Sequence, residues 1–135
     1  MSALVTCTTN MKDEKSIVNA LVRMGVPKSE IETGDSIKLN GYGKQTADVN
    51  ICVRKSFHGG YSDVGFTRKP SGVYDIMVDD MDDVGRLAVR CGVKNFSSSV
   101  KQWYSALKTK KALKNQGLSV KINRDQDKLV VVGVG

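Results

Sequence analysis

A chain of 135 residues, 40% hydrophobic and with a formal net charge of +7, can close one core without staples, so one domain over residues 1–135 is expected. Cys7, Cys52 and Cys91 are odd in number and lack CxxC spacing, and His58 is the only histidine; these counts exclude a zinc site and a disulfide framework and predict buried, reduced thiols. No apolar run reaches transmembrane length and no basic segment precedes an apolar one at the N-terminus, which predicts a cytoplasmic protein without membrane span or signal peptide.

In chain order, "ALVTCTT" (residues 3–9) is rich in small and β-branched types and reads as a first strand. Asn10 or Asp13 caps a helix through "EKSIVNALVRMG", where Ile17, Ala20, Leu21 and Met24 fall at helical spacing and Gly25 stops it. After Pro27 a polar loop is expected, then strands "SIKLNGY" and "ADVNICVRK", the second with Ala47, Val49, Ile51 and Val53 on one side. Between them, "NGYGKQT" holds Gly41, Gly43, Lys44 and Thr46 and looks like part of a phosphate-binding loop. A Walker-type loop needs four residues between its glycines, Lys next to Ser or Thr, and a helix afterwards. Here one residue separates the glycines, Gln45 intervenes and a strand follows, so the segment is a hairpin turn and no nucleotide cofactor is implied.

"YSDVGFTRK" and "VYDIMVDD" form the next hairpin, turned at Pro70 and Gly72. Residues 81–96 hold a short helix around Val84 to Val89, weakened by Gly85 and Gly92. "SSSVKQWYSALKTKKALKNQG" is the longest helix, with Val100, Trp103, Tyr104 and Leu107 on the core side. "LSVKINRD" and "KLVVVGV" close the chain as a hairpin turned at Gln126 and Asp127. The pattern predicts an α+β fold: a mostly antiparallel sheet of six to seven strands with two main helices on one face. A weak internal echo reads each half as β-α-β-β, which places two units about a pseudo-twofold axis, similar to TATA-box-binding or ferredoxin-like arrangements.

The charge is uneven. Residues 96–135 carry eight cations against two aspartates, a net +6 of the +7. On the long helix, Lys101, Lys108 and Lys111 share a face by spacing, with Lys110 and Lys114 beside it. These five, with Lys44, Arg54 and Lys55, are the candidate phosphate contacts of a nucleic-acid-binding protein. Aromatics are only 6% of the chain, and Trp103 and Tyr104 are wanted by the core, so base stacking is thinly supported.

Asp75, Asp79, Asp80, Asp82 and Asp83 crowd one short stretch, but no EF-hand pattern accompanies them. The expectation is a solvated acidic exit from the strand, with no metal. His58, beside Gly59 and Gly60, reads as an exposed loop residue rather than the partner of Cys52 in a nucleophilic dyad. Asp48 and Asp63 are a weak candidate carboxylate pair. Tyr61, Asp63 and Asp79 outline a candidate ligand pocket at one end of the sheet.

Several segments together resemble one family. "KDEKSIVNALVRMG" is similar to the opening of the small plastid and cyanobacterial proteins called hypothetical chloroplast frame thirty-five, "GYGKQTADVNI" to their Gly-Tyr, Gln and Ala-Asp strand, "YSDVGFTRKPSGVYDIMVDDMD" to their Tyr-Asp, Gly-Phe and Gly-turn hairpin, and "VKQWYSALKTKKALKNQGLSV" to their Val, Gln, Tyr helix. The matches run in order over nearly the whole chain. The chain departs from the family in "VPKSEIETGDS", at Ser62, over residues 84–96 and in the ending "VVVGVG", departures that imply a distant, viral or phage-borne member. The resemblance implies an uncharacterised function without a transferable catalytic motif or cofactor, in the cytoplasm, a plastid stroma or the host cytoplasm of a phage. From residues and resemblance together, the leading expectation is a non-enzymatic accessory or binding protein with an unidentified protein partner. Nucleic-acid binding through the lysine helix comes second, and a small-ligand site or enzyme third.

Overall fold

The computed structural model describes residues 2–125 and 128–134. Strand β1 (Leu4–Cys7) leads through helix α1 (Glu14–Arg23) to β2 (Ile31–Asn40), β3 (Thr46–Val53), β4 (Val64–Arg68) and β5 (Tyr74–Asp79). Short helices α2 (Asp80–Val84) and α3 (Arg86–Arg90) precede the long α4 (Phe96–Asn115), and β6 (Ser119–Asp125) and β7 (Lys128–Val134) end the fold. The architecture is α+β with all seven expected strands and both long helices. The strands divide into an antiparallel sheet of order β1-β5-β4-β3-β2 and a separate β6-β7 pair. The turn expected at Gln126 and Asp127 lies outside the described residues. Strands β1 and β5, which open the two proposed β-α-β-β units, are antiparallel neighbours, as a dyad between them requires. The sheet itself is not symmetric, because the second unit's hairpin packs on α4 instead of joining it.

Helix α1 starts where Asp13 accepts the Lys15 N–H (3.2 Å) and the Ser16 hydroxyl (2.7 Å), an N-cap that satisfies otherwise orphaned donors. Its buried stripe, Ile17, Ala20 and Leu21, meets Phe96, Val100 and Tyr104 of α4 over Ile51, Val53, Phe66, Ile76 and Val78 of the sheet. Each of the larger side chains contributes about 1.5–3 kcal/mol by leaving water. The Tyr104 hydroxyl accepts the N–H groups of Lys12 (3.0 Å) and Asp13 (3.2 Å), which fastens α4 to the head of α1.

The opposite face is closed by the sheet itself. Thr33 pairs with Ile51 and Ile37 with Val49, so β2 advances four residues while β3 advances two, a bulge that bends the ribbon. The Asn50 amide bridges the gap: it donates to the carbonyls of Gly34 (3.2 Å) and Asp35 (2.9 Å) and accepts the Arg68 N–H (2.8 Å). The expected single side for Ala47, Val49, Ile51 and Val53 is therefore corrected. Ile51 and Val53 face the helices, whereas Ala47 and Val49 join Leu39, Cys52, Leu4 and Met77 in a second cluster. The curled end fits because β4 has Gly65, where a Cβ would lie 2.7 Å from Val49 Cγ1 and 2.9 Å from Leu39 Cδ1. Gln45 at the hairpin tip accepts the Leu4 N–H (3.1 Å) on β1. The polar loop expected after Pro27 is also shorter than its composition implies, because residues from Ile31 onward pair with Val53 and Cys52.

Candidate functional site

Two places gather the chemistry-bearing residues. The first is the end of the sheet where the 54–63 segment meets α2. Arg54 donates to Glu32 at 2.6 and 3.1 Å, to the Lys38 carbonyl at 2.7 Å and to Asp63 at 3.0 Å. The bonds to Glu32, then to Asp63, hold its guanidinium charged well above the usual range. Buried Asp63 also accepts the N–H groups of Asn40 (2.9 Å) and Lys55 (2.8 Å).

The expectation of an exposed His58 is corrected: the ring is 8% exposed. Its Nδ1 accepts the Gly60 N–H (3.1 Å) and its Nε2 lies 3.1 Å from the Ser62 carbonyl, which assigns the ring proton to Nε2. Burial pushes its pKa down against the pull of Asp82 and the Ser62 carbonyl. Cys52 sits in the second apolar cluster and burial raises its thiol to about 12, so a dyad with a ring whose nitrogens both have partners does not form. Asp48 is exposed opposite Lys38, while both oxygens of Asp63 are engaged.

The acidic run is not a solvated exit either. Asp79 and Asp82 are each 1% exposed. Asp79 caps α2 by accepting the N–H groups of Met81 (2.9 Å) and Asp82 (3.1 Å); its other oxygen is buried without a hydrogen-bond partner among the described residues. Asp82 accepts the N–H groups of Tyr61 (2.9 Å) and Ser62 (3.0 Å). Asp83 accepts the Ser97 N–H (2.8 Å), and Asp80 the Ala3 N–H (2.8 Å). Asp75 pairs with Lys69 at 3.3 Å. These carboxylates bind backbone donors, the side chains of Asn95 and Ser97, and one cation, and among the described residues no three His, Cys, Asp or Glu side chains converge to hold a metal ion. Of the pocket candidates, Asp63 and Asp79 are buried in this network, and half-exposed Tyr61 stands edge-on to Tyr42, ring centroids 5.5 Å apart.

The second place is the basic end of the chain. Val100, Tyr104, Leu107, Lys111 and Lys114 follow one another at spacings of three and four, hence on one stripe of α4. Past Leu107 the stripe turns from apolar to lysine and is exposed. Lys110, Lys111 and Lys114 line one concavity of about 280 Å³ with Leu107 and Asn115. Lys108 instead bonds Asp13 at 2.9 Å; that bond is the main reason the Asp13 pKa falls to about 2 and the Lys108 pKa rises. Lys101 turns toward the terminal hairpin. There the seam between α4 and β6-β7 opens into a concavity of about 460 Å³ with Lys101 and Lys128, and a neighbouring one of about 550 Å³, which shares Gln102, lies between residues 89–99 and Arg124. Lys44 and Lys55 are exposed on the far hairpin and loop, and Arg54 is tied to carboxylates.

Residues 20–130 match the family described as protein of unknown function (DUF1257). The chain belongs to this family. No curated protein and no solved structure matches it. In this DUF1257 chain the structure brings together Lys110, Lys111 and Lys114, and separately Lys101 with Lys128; it sets Lys108, Lys44, Arg54 and Lys55 apart from both groups. That Arg124 and Lys128 line two neighbouring concavities beside α4 was hidden in the sequence, where they contribute only to a charge total. No helix of the described DUF1257 chain is long and apolar enough to cross a membrane.

Proposed function

We propose that the chain is a non-enzymatic accessory or binding protein, close to the hypothetical-chloroplast-frame group within its family, that engages an anionic partner through α4 and the terminal hairpin. One observation carries the reading. Lys101, Lys110, Lys111, Lys114, Lys121, Arg124 and Lys128 make no ion pair among the described residues, whereas Arg54, Lys69 and Lys108 are paired. Unpaired like charges gathered on α4 and the terminal hairpin cost self-repulsion, which an anionic partner relieves. The potential catalytic groups point the same way: Cys52 and Cys91 have thiols raised by burial to about 12 and about 11, and His58, Asp63 and Asp82 are engaged in holding backbone.

A second reading, binding of nucleic-acid backbone, is favoured by the three lysines that share the concavity beside Leu107 and would show a steep salt dependence. The test is retention of the purified protein on random DNA, on RNA and on polyglutamate over a salt series, beside a Lys101→Gln, Lys110→Gln, Lys111→Gln, Lys114→Gln variant. Retention near physiological salt that the variant loses is expected. Equal retention of both proteins, or none by either, rejects the basic surface as the contact.

A further inference from the structure

The terminal hairpin is a two-stranded ribbon, and among the described residues β7 pairs only with β6. Its outer edge therefore presents unpaired N–H and C=O groups along seven residues, a template that natural sheets ordinarily cover or blunt. Register divides the ribbon into two faces. Ile122 and Val131 are opposite each other and turn to α4, while Val130, Val132 and Val134 form a row on the other face, 42%, 40% and 52% exposed. Beside the β7 edge, the seam is walled by Lys101, Ser105 and Thr109 of α4 and by Lys128, together with the apolar Ala106, Leu129 and Val131. No carboxylate and no aromatic ring is among the described residues that line it.

We propose that an extended peptide of a partner protein adds to β7 as a third strand of this hairpin, with acidic side chains alternating with apolar ones. The proposal rests on the binding-protein reading above and names its partner. Strand addition supplies main-chain hydrogen bonds, and the period of two sends alternate side chains to opposite faces. On one face the apolar residues extend the row of Val130, Val132 and Val134, which then leaves water. On the other, the acidic residues meet Lys101 and the hydroxyls of Ser105 and Thr109, while Lys128, in step with Val130 at the first residue of β7, lines the seam from the end of the strand. A single nucleic-acid strand suits the seam less well, because such sites stack bases on aromatic rings and the seam has none.

The test uses the full chain and fluorescent, end-blocked heptapeptides matched to β7: alternating Glu and Val, a block isomer of the same composition, and the alternating peptide N-methylated at every second residue. At physiological salt the alternating peptide should bind at least about tenfold tighter than the block isomer. N-methylation in one of its two phases should abolish binding, and the Lys101→Glu, Lys128→Glu variant should weaken it at least about tenfold with an unchanged circular dichroism spectrum. Equal binding of the two isomers, lost in the seam variant, overturns strand addition while leaving the anionic-partner reading intact. Binding lost only when Lys110, Lys111 and Lys114 are changed, or oligothymidine bound in the seam more tightly than the alternating peptide, overturns the proposal in the same way. No binding of any anionic probe overturns both.

Discussion

Asp82 offers a sharp test of what the acidic run does. It is 1% exposed, and its carboxylate accepts the N–H groups of Tyr61 and Ser62, both on the segment that carries His58. It sits so close to Gly60 that a Cβ there would lie 2.6 Å from Asp82 Cγ, so the segment is moulded onto this one side chain. Asp82→Ala leaves two backbone donors without their acceptor. Each orphaned donor costs about 1–3 kcal/mol, so the variant should lose about 4 kcal/mol of the roughly 5–15 kcal/mol that a domain holds. At roughly 3–4 °C per kcal/mol for this length, the melting point should fall by roughly 12–16 °C. Asp82→Asn keeps an acceptor oxygen in place and should cost about half as much. Urea unfolding followed by the fluorescence of Trp103, the single tryptophan, measures both, with Asp80→Ala as the control because Asp80 is exposed and accepts one terminal N–H. If Asp82→Ala stays within about 1 kcal/mol of wild type, the carboxylate does not hold the loop and the structural account of the acidic run fails.

Gly65→Val should destabilise by about 1–3 kcal/mol or more through overpacking against Val49 and Leu39; an unchanged urea midpoint would show that the β2-β3 end does not fold over β4. His58 has a folded pKa below its ordinary 6.5, so the unfolded chain binds the proton first. Its contribution is full above about pH 6.5 and is lost as pH falls through the folded value; His58→Gln should flatten the stability profile in that window, and an identical slope would refute the assignment. Asp13, lowered from 3.8 to about 2, contributes above pH 3.8 and loses the contribution as pH falls through 2. Because the Lys108–Asp13 pair is more than a third exposed, Lys108→Ala should cost no more than about 1 kcal/mol, and a larger loss in chemical denaturation would contradict that. Cys52, fully buried with its thiol raised to about 12, should react with a disulfide reagent at pH 8 only as fast as the domain opens; rapid native labelling located by peptide mapping would disprove its burial.

The long helices were legible because Ile17, Ala20 and Leu21, and Val100, Tyr104 and Leu107, keep helical spacing between clear stops, and that spacing is what the core selects. The acidic run was not, since a carboxylate capping a helix and one in water leave the same letter in the sequence; only the fold brings Tyr61 and Ser62 to Asp82. His58 misled for the same reason: the two glycines that follow it signal a mobile turn, whereas Gly60 is there because Asp82 and the imidazole leave no room for a Cβ. The alternation through Val49 and Ile51 was readable as a strand, but the bulge that sends them to opposite clusters depends on Asn50 finding carbonyls on β2. The basic surface was visible as a charge total. Its division between a concavity near Leu107 and a seam with the hairpin was not, because helix spacing alone does not say where the hairpin lies.

The order of strands carries a consequence for synthesis. β2 to β5 form a meander in which each strand pairs with its neighbour in the chain, but β1 pairs with β5, and Leu4 meets Asp79 across 75 intervening steps of sequence. As the chain leaves the ribosome, β1 has no strand partner until β5 has emerged, some 75 residues later. The meander and α1 are then expected to assemble around a missing edge, with β1 added afterwards and held by the Ala3, Leu4 and Asp80 bonds. Amides of Val5 to Cys7 should accordingly be the last of the sheet to gain protection in pulsed hydrogen exchange during refolding; protection there as early as in β3 and β4 would refute the order.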